Sequence, residues 1–306
     1  MRAYEHSFRA MGSPCRLLVY AQHKAQMDSV CTSVVAEVER LEAKYSRYRE
    51  SSLLSQINSA SGTNERLPID EETLALLNVA ETAYQLSDGL FDISSGVLRK
   101  GWDFHHAVIP TQRQLNKLLN LIDWRAISIV NNSIRLPEKG MELDFGGLVK
   151  EYAVDCAVSM LKKLKLSALV DLGGDIAVTG PQPDGRAWLV GVRHPSKGAQ
   201  FAVAHLPLSE GAVASSGSYE RCIEHNGQRY HHILNPKNGY PIEHCLTTVS
   251  VWAPQCTLAG MASTIALLKG NEGLNWLKQC ELPFLAIDKG LNTYCNLNEE
   301  NISQCQ

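Results

Sequence analysis

The segment Leu143–Asp175, LDFGGLVKEYAVDCAVSMLKKLKLSALVDLGGD, decides how the rest of the chain is read. Two glycine pairs, Gly146-Gly147 and Gly173-Gly174, bracket one helical pattern, and each pair has an acid close by. Between them Ala153, Cys156, Ala157, Met160, Leu161 and Leu164 recur at helical spacing, which predicts an amphipathic helix with one buried face. Ala168–Leu172 then reads as a short buried strand ending at the second pair. Glycine lets backbone amides approach a ligand closely, and a helix N-terminus offers unpaired N–H groups to an anion. The unit therefore reads either as two tight turns around a core helix or as a cradle for a phosphorylated ligand. Neither GxGxxG nor a Walker loop is present, so no Rossmann or P-loop site is assigned.

Upstream, Cys15–Ala21 is a strand candidate, and an apolar stripe from Met27 through Val30, Val34, Val38 and Leu41 predicts a helix ending near Tyr45. Ser51 and Ser52 precede a Leu-Leu pair as cap candidates for a short helix. Asp70, Glu71 and Glu72 open another helix, which Ser87-Asp88-Gly89 stops. Asp92, after Phe91, is either a turn former or a ligand contact. Arg47 and Arg49, with Tyr48 between them, are solvated charges by default, or alternatively line a cleft.

Downstream the pattern turns to strands, with a hairpin signal at Asn226-Gly227. His231 and His232 are adjacent, so on a strand their rings face opposite sides, and a shared metal is not expected. Ala259–Lys269 is apolar nearly all round, as expected of a buried central helix. The architecture expected is α+β, one compact unit over 1–306 with two lobes.

The composition is that of an ordinary globular chain, 44% apolar and 20% charged. A net charge of −3 gives no electrostatic case for nucleic acid, and no apolar run approaches the length that spans a bilayer. Nine scattered cysteines without a C-x-x-C pair argue against a zinc ribbon or redox dithiol. Cys245 and Cys256 are assigned no role. Reduced thiols and no visible signal peptide point to a cytoplasmic protein, or a periplasmic one if a leader was removed.

Six ordered motifs extend this reading: Ser46-Arg47-Tyr48 with Ser51-Ser52-Leu53-Leu54; Phe91-Asp92 with Gly96; Leu143-Asp144-Phe145-Gly146-Gly147 with Lys150; Asp171-Leu172-Gly173-Gly174-Asp175-Ile176; Ser216-Gly217 with Tyr219; and His232-Ile233-Leu234-Asn235-Pro236 with Gly239-Tyr240-Pro241. In this order they resemble the ApbE family, the FAD:protein FMN transferases, over nearly the whole chain. The resemblance implies the family's T-fold-related flavin-transferase architecture. It also implies cleavage of the FAD pyrophosphate and attachment of FMN, through a phosphoester, to a Thr or Ser of a target flavoprotein. By motif position, Gly146, Gly147, Gly173 and Gly174 would admit the ligand to the backbone, and Lys150 would neutralise phosphate. His232 would move the proton. Met11, Tyr48, Phe91, Asp92, Asp144, Asp175, Ser216, Gly217 and Ile233 complete the implied FAD site.

Three departures from the family pattern concern the metal. The family has Ala-Asp at the start of the late helix, with a Thr four residues after a metal-binding Asp. Here Gly260 stands for the Asp, and Thr264 is kept. The run Gly-Gly-Ile-Ala-Lys-Gly becomes Leu148-Val149-Lys150-Glu151 after Gly146-Gly147, and Asn235 replaces an Asp before Pro. Val149, through its carbonyl, and Thr264 remain as implied ligands of a Mg²⁺ ion whose best carboxylate is missing, so Mg²⁺ is in doubt. If only the metal was lost, an aspartate restored at Gly260 should raise transfer. The competing reading is an ApbE-like FAD-binding protein that has lost transfer and acts as a carrier or partner-binding module.

Overall fold

A computed structural model describes residues 1–195, 201–219, 221–243, 246–297 and 303–304; Cys245 lies outside them. The chain opens with a hairpin, β1 (Arg2–Ala10) and β2 (Ser13–Ala21). A long excursion follows: α1 (Lys24–Tyr45), α2 (Leu53–Ser59), β3 (Leu67–Pro68), α3 (Glu71–Leu86), a 3-10 helix over Ile93–Lys100, α4 (Gln112–Leu119), β4 (Ser128–Val130), β5 (Ser133–Arg135) and α5 (Val149–Lys163). The strands then dominate: β6 (Ala168–Leu172), β7 (Asp175–Val178), β8 (Trp188–Arg193), β9 (Ala202–Leu208), β10 (Ala212–Gly217), β11 (Cys222–His225), β12 (Gln228–His231) and β13 (Leu246–Ala253). Helices α6 (Cys256–Leu268) and α7 (Gly273–Gln279) and strands β14 (Phe284–Asp288) and β15 (Thr293–Cys295) follow.

Capping side chains explain several helix starts. Ser52 accepts from the Ser55 N–H to begin α2, and Asp70 does the same for Thr73 at α3, with Glu71 and Glu72 in the first turn complementing the dipole. Thr111 and Gln114 form a reciprocal capping box at α4.

The core is an eight-stranded sheet in the order β1-β2-β6-β7-β10-β13-β14-β15, antiparallel at every step. Period-two alternation divides its two faces. Ala212 and Ala214 of β10 join α1, α5 and α6 in the main core, while Val213 points the other way. On that second face Leu169, Ile176, Val213, Trp252 and Leu285 pack against Trp188, Val190 and Val192 of β8 and Leu206 and Leu208 of β9. The central strands are therefore covered on both sides. Helix α6, buried at Ala259, Ala262, Ile265 and Ala266 among others, lies against β10, β13 and α5. Its apolar circumference needs that central position.

The expected α+β class is what the structure has. The face of α5 differs from the stripe read in sequence. Ala153, Ala157 and Leu161 are buried as expected, but Val149, Val154 and Val158 share that face. Leu164 is 55% exposed, because it lies at the C-cap, where the helix has already ended. Among the described residues no helix is long and apolar enough to cross a membrane.

Candidate active site

Two sets of turns meet the N-terminus of α5. In the first, the Asp144 N–H donates to the Ile93 carbonyl (2.9 Å) and Asp144 Oδ1 accepts from the Gly146 N–H (2.9 Å). Asn58 fixes the preceding residue from both sides, accepting from the Leu143 N–H (2.7 Å) and donating to the Leu143 carbonyl (3.0 Å). A side chain at Gly96 would lie 2.6 Å from Asp144 Cβ, so this approach demands glycine. Arg47 pairs with Asp144 Oδ2 and also donates to the Tyr48 hydroxyl (2.8 Å), its guanidinium lying 4.9 Å from the Tyr48 ring centre. Tyr48 itself is 78% exposed. Arg47 is therefore not a solvated charge: it is largely buried and links an exposed aromatic ring to the Asp144 turn.

Phe91 and Asp92 are buried beside this set, and a Cβ at Gly147 would lie 3.4 Å from the Phe91 ring. Asp92 Oδ1 accepts from the Ser94 N–H (2.7 Å) and hydroxyl (2.6 Å) and caps the 3-10 helix. Burial pushes its carboxyl above the ordinary range. Its geometry is that of the turn former.

The second set joins the β1–β2 and β6–β7 turns. Met11 and Gly12 both have positive φ (51° and 73°), the pattern of a two-residue I′ hairpin, and a methionine there occupies a backbone region that side chains rarely adopt. Gly173 and Gly174 (φ 68° and 97°) form the other turn, and Asp171 Oδ1 accepts from the Gly174 N–H (2.9 Å). A Cβ at Gly173 would meet Ser13 Cβ at 2.7 Å and lie 3.9 Å from Lys150 Nζ. Lys150 thus reaches from the first turn of α5 to the glycine turn, where it forms an ion pair with Asp175 at 2.7 Å. Asp175 is 2% exposed. Burial alone would lower the Lys150 pKa, but the charges of Asp175 and Glu151 overrule it and hold the ammonium protonated. Burial raises the Asp175 carboxyl, with Lys150 opposing.

The next residue, Glu151, faces α6. It is 7% exposed, and its Oε2 is buried without a hydrogen-bond donor. Burial raises its pKa, and the Asp175 charge adds to that. A Cβ at Gly260 would stand 2.4 Å from Glu151 Cγ. One turn along α5, Asp155 caps α6: its oxygens accept from the Cys256 N–H (2.7 Å), the Thr257 N–H (2.9 Å) and the Thr257 hydroxyl (2.7 Å). Asp155 against 256–257 and Glu151 against 260 define antiparallel helices in fixed register. Further along α6 the Ser263 and Thr264 hydroxyls converge on Ser216 Oγ at 2.8 and 2.9 Å, and Ser263 also donates to the Gly260 carbonyl (3.0 Å). Val149 opens α5 on its buried face. Gly217, which follows Ser216, must be glycine because a Cβ would sit 2.5 Å from the Tyr219 ring.

The histidines come from another part of the chain. The Ile233 N–H donates to His231 Nδ1 (3.3 Å), so Nε2 carries the proton and donates to the Ile242 carbonyl (2.9 Å). Burial lowers the His231 pKa to about 4. His232 Nδ1 lies 3.3 Å from the Arg221 carbonyl, an acceptor only, which makes Nε2 the basic nitrogen. The His232 ring stands edge-on to Phe104. Asn235 Oδ1 accepts from the Lys237 N–H (2.8 Å) within its own turn, so the side chain that replaces an aspartate is engaged there as an Asx turn.

Sequence reasoning missed Glu151, so its conditional expectation of a gain from an aspartate at Gly260 left that side chain out. The space for that side chain is already filled. The available signal was the pairing of two changes, an acid gained at 151 where an acid is lost at 260.

Glycine turns and a buried Lys–Asp pair thus meet at the N-terminus of α5, beside an antiparallel sheet. The ApbE family model matches residues 11–286, and the chain belongs to that family. It is 30% identical over 301 residues to the FAD:protein FMN transferase of Treponema pallidum, covering 92% of this chain and 82% of the relative. It is also 30% identical over 255 residues to the enzyme of that name from Klebsiella pneumoniae, covering 82% and 77%. The crystal structure of the ApbE protein from Thermotoga maritima superposes with a TM-score of 0.86 at 27% identity, covering 96% of this chain and 97% of that one.

Proposed function

We propose that this chain is an FAD:protein FMN transferase, acting as one unit, and that its natural partner is a flavoprotein presenting an acceptor Thr or Ser. The observation that carries the reading is Lys150, lodged between the Gly173-Gly174 turn and Asp175 in a chain of the ApbE family. In the reaction the acceptor hydroxyl oxygen forms a bond to the FMN phosphorus. The bond from that phosphorus to the bridging oxygen breaks, AMP leaves with the electron pair, and the hydroxyl proton passes to a base.

His232 Nε2 is the proposed base, with the Arg221 carbonyl orienting the ring. Lys150 and the N–H groups of Gly146, Gly147, Gly173 and Gly174 balance charge on the pyrophosphate. Met11, Tyr48, Phe91, Ser216, Gly217 and Ile233 are proposed to shape the flavin and nucleotide pockets, with Asp92 and Asp144 acting through the turns they hold. A divalent cation fits the α5–α6 corner because a buried carboxylate oxygen there lacks a donor. When bound, such an ion supplies further neutralisation of pyrophosphate charge. Val149, through its carbonyl, and Thr264 are proposed as neutral ligands.

The test is AMP release coupled to flavin fixation on a threonine-bearing acceptor. His232→Ala is expected to slow transfer by roughly 10²–10⁴-fold while FAD binding persists. Wild-type rates in that variant would remove His232 from the reaction, and an absence of AMP release by the wild type would sink the transferase reading.

A further inference from the structure

Glu151 occupies an unusual position for a carboxylate. It is buried in the first turn of α5, its Oε2 accepts no hydrogen bond, and the neighbouring cation, Lys150, is already paired with Asp175. Buried carboxylates are ordinarily paired, or coordinate a metal. The residue opposite is a glycine. A Cβ at Gly260 would lie 2.4 Å from Glu151 Cγ and 3.1 Å from Cδ, so Gly260 is the residue that gives Glu151 its room. Their facing is fixed by Asp155, which caps α6 one turn away. On α6, the turn after Gly260 brings the Thr264 hydroxyl to the same end of the helix pair, bonded to Ser216 Oγ at 2.9 Å. An anionic oxygen and neutral oxygens held on rigid helices are the ligand types of a hard divalent cation.

We propose that Glu151 is the anionic ligand of a Mg²⁺-like cation in this chain, projected from α5 into the space that Gly260 leaves open on α6. The acid has changed helices. Glu151 and Gly260 are then one functional unit, and each makes sense only with the other. The inference deepens the transferase reading and rests on it only for what the cation is used for; binding itself is independent.

The experiment is Mn²⁺ titration of the FAD-loaded full chain, with free Mn²⁺ followed by electron paramagnetic resonance, since Mn²⁺ accepts the same oxygen ligands as Mg²⁺. Glu151→Gln is expected to weaken Mn²⁺ binding by about tenfold or more, because the site loses its charged ligand. The exchanged pair Glu151→Gly with Gly260→Asp is expected to recover most of that binding, and it keeps the test open should the single variant fold poorly. Gly260→Asp alone is expected to bring no gain. Wild-type Mn²⁺ affinity in Glu151→Gln, an exchanged pair that binds no better than that variant, or no Mn²⁺ bound by the wild type would each overturn the proposal. FMN transfer by the wild type is measured separately. Transfer with Mn²⁺ binding indifferent to Glu151 defeats this inference and spares the transferase. Glu151-dependent binding without transfer does the reverse.

Discussion

Lys150 and Glu151 are neighbours on the first turn of α5, yet their surroundings are opposite. Lys150 reaches the glycine turn of β6–β7 and closes an ion pair with Asp175. Glu151 reaches α6 and meets a glycine, with one oxygen left without a donor. The first side chain has an ionic partner 2.7 Å away, and the second has no ion pair among the described residues. Adjacent residues of one helix turn can therefore carry a paired charge and an unpaired one, and local sequence does not tell them apart.

The contrast can be broken most forcefully at Lys150. Lys150→Met strands Asp175 as a buried unpaired acid, and a loss of about 3–5 kcal/mol in denaturant unfolding is expected, largely recovered in Lys150→Met with Asp175→Asn. Gly260→Asp should destabilise by about 1–3 kcal/mol through overpacking against Glu151, before any repulsion between the two acids is counted. That outcome is the reverse of a simple restoration. Glu151→Met should have the opposite sign to Lys150→Met: without metal the protein gains about 1–3 kcal/mol, because a buried acceptor without a donor is removed. Equal signs at 150 and 151 would erase the distinction between closed and open charges.

The smallest effect concerns His231, outside both corners. Its folded pKa of about 4 lies below the ordinary value of 6.5, so the unfolded chain binds the extra proton first as pH falls. Stability should therefore be lost as pH drops from 6.5 towards 4, as protonation of Nδ1 also breaks the bond from the Ile233 N–H. His231→Gln should flatten that part of a thermal melt series without altering its behaviour above pH 7.

Much of this was legible in the chain. The two glycine turns, the helix between them, the buried α6 and the Asn226-Gly227 hairpin are local signals, and each is where the sequence puts it. Strand β1 was not legible, because RAYEHSFRA lies at the sheet edge with most of its residues exposed, so burial left little apolar alternation to read. Leu164 continued a helical stripe that the backbone had already abandoned. Glu151 was hidden for a different reason. An acid in the first turn of a helix is ordinarily a solvated complement to the dipole. Only the fold brings it against Gly260, from a distant part of the sequence, and turns an apparent loss into an exchange.

The most direct test of the account is the intact mass of a threonine-bearing acceptor after incubation with the wild-type chain and FAD, with added Mg²⁺ and with a chelator. The expected result is an acceptor carrying FMN in the presence of Mg²⁺ and an unmodified acceptor with chelator. An acceptor left unmodified in both, with FAD bound and intact, would contradict it.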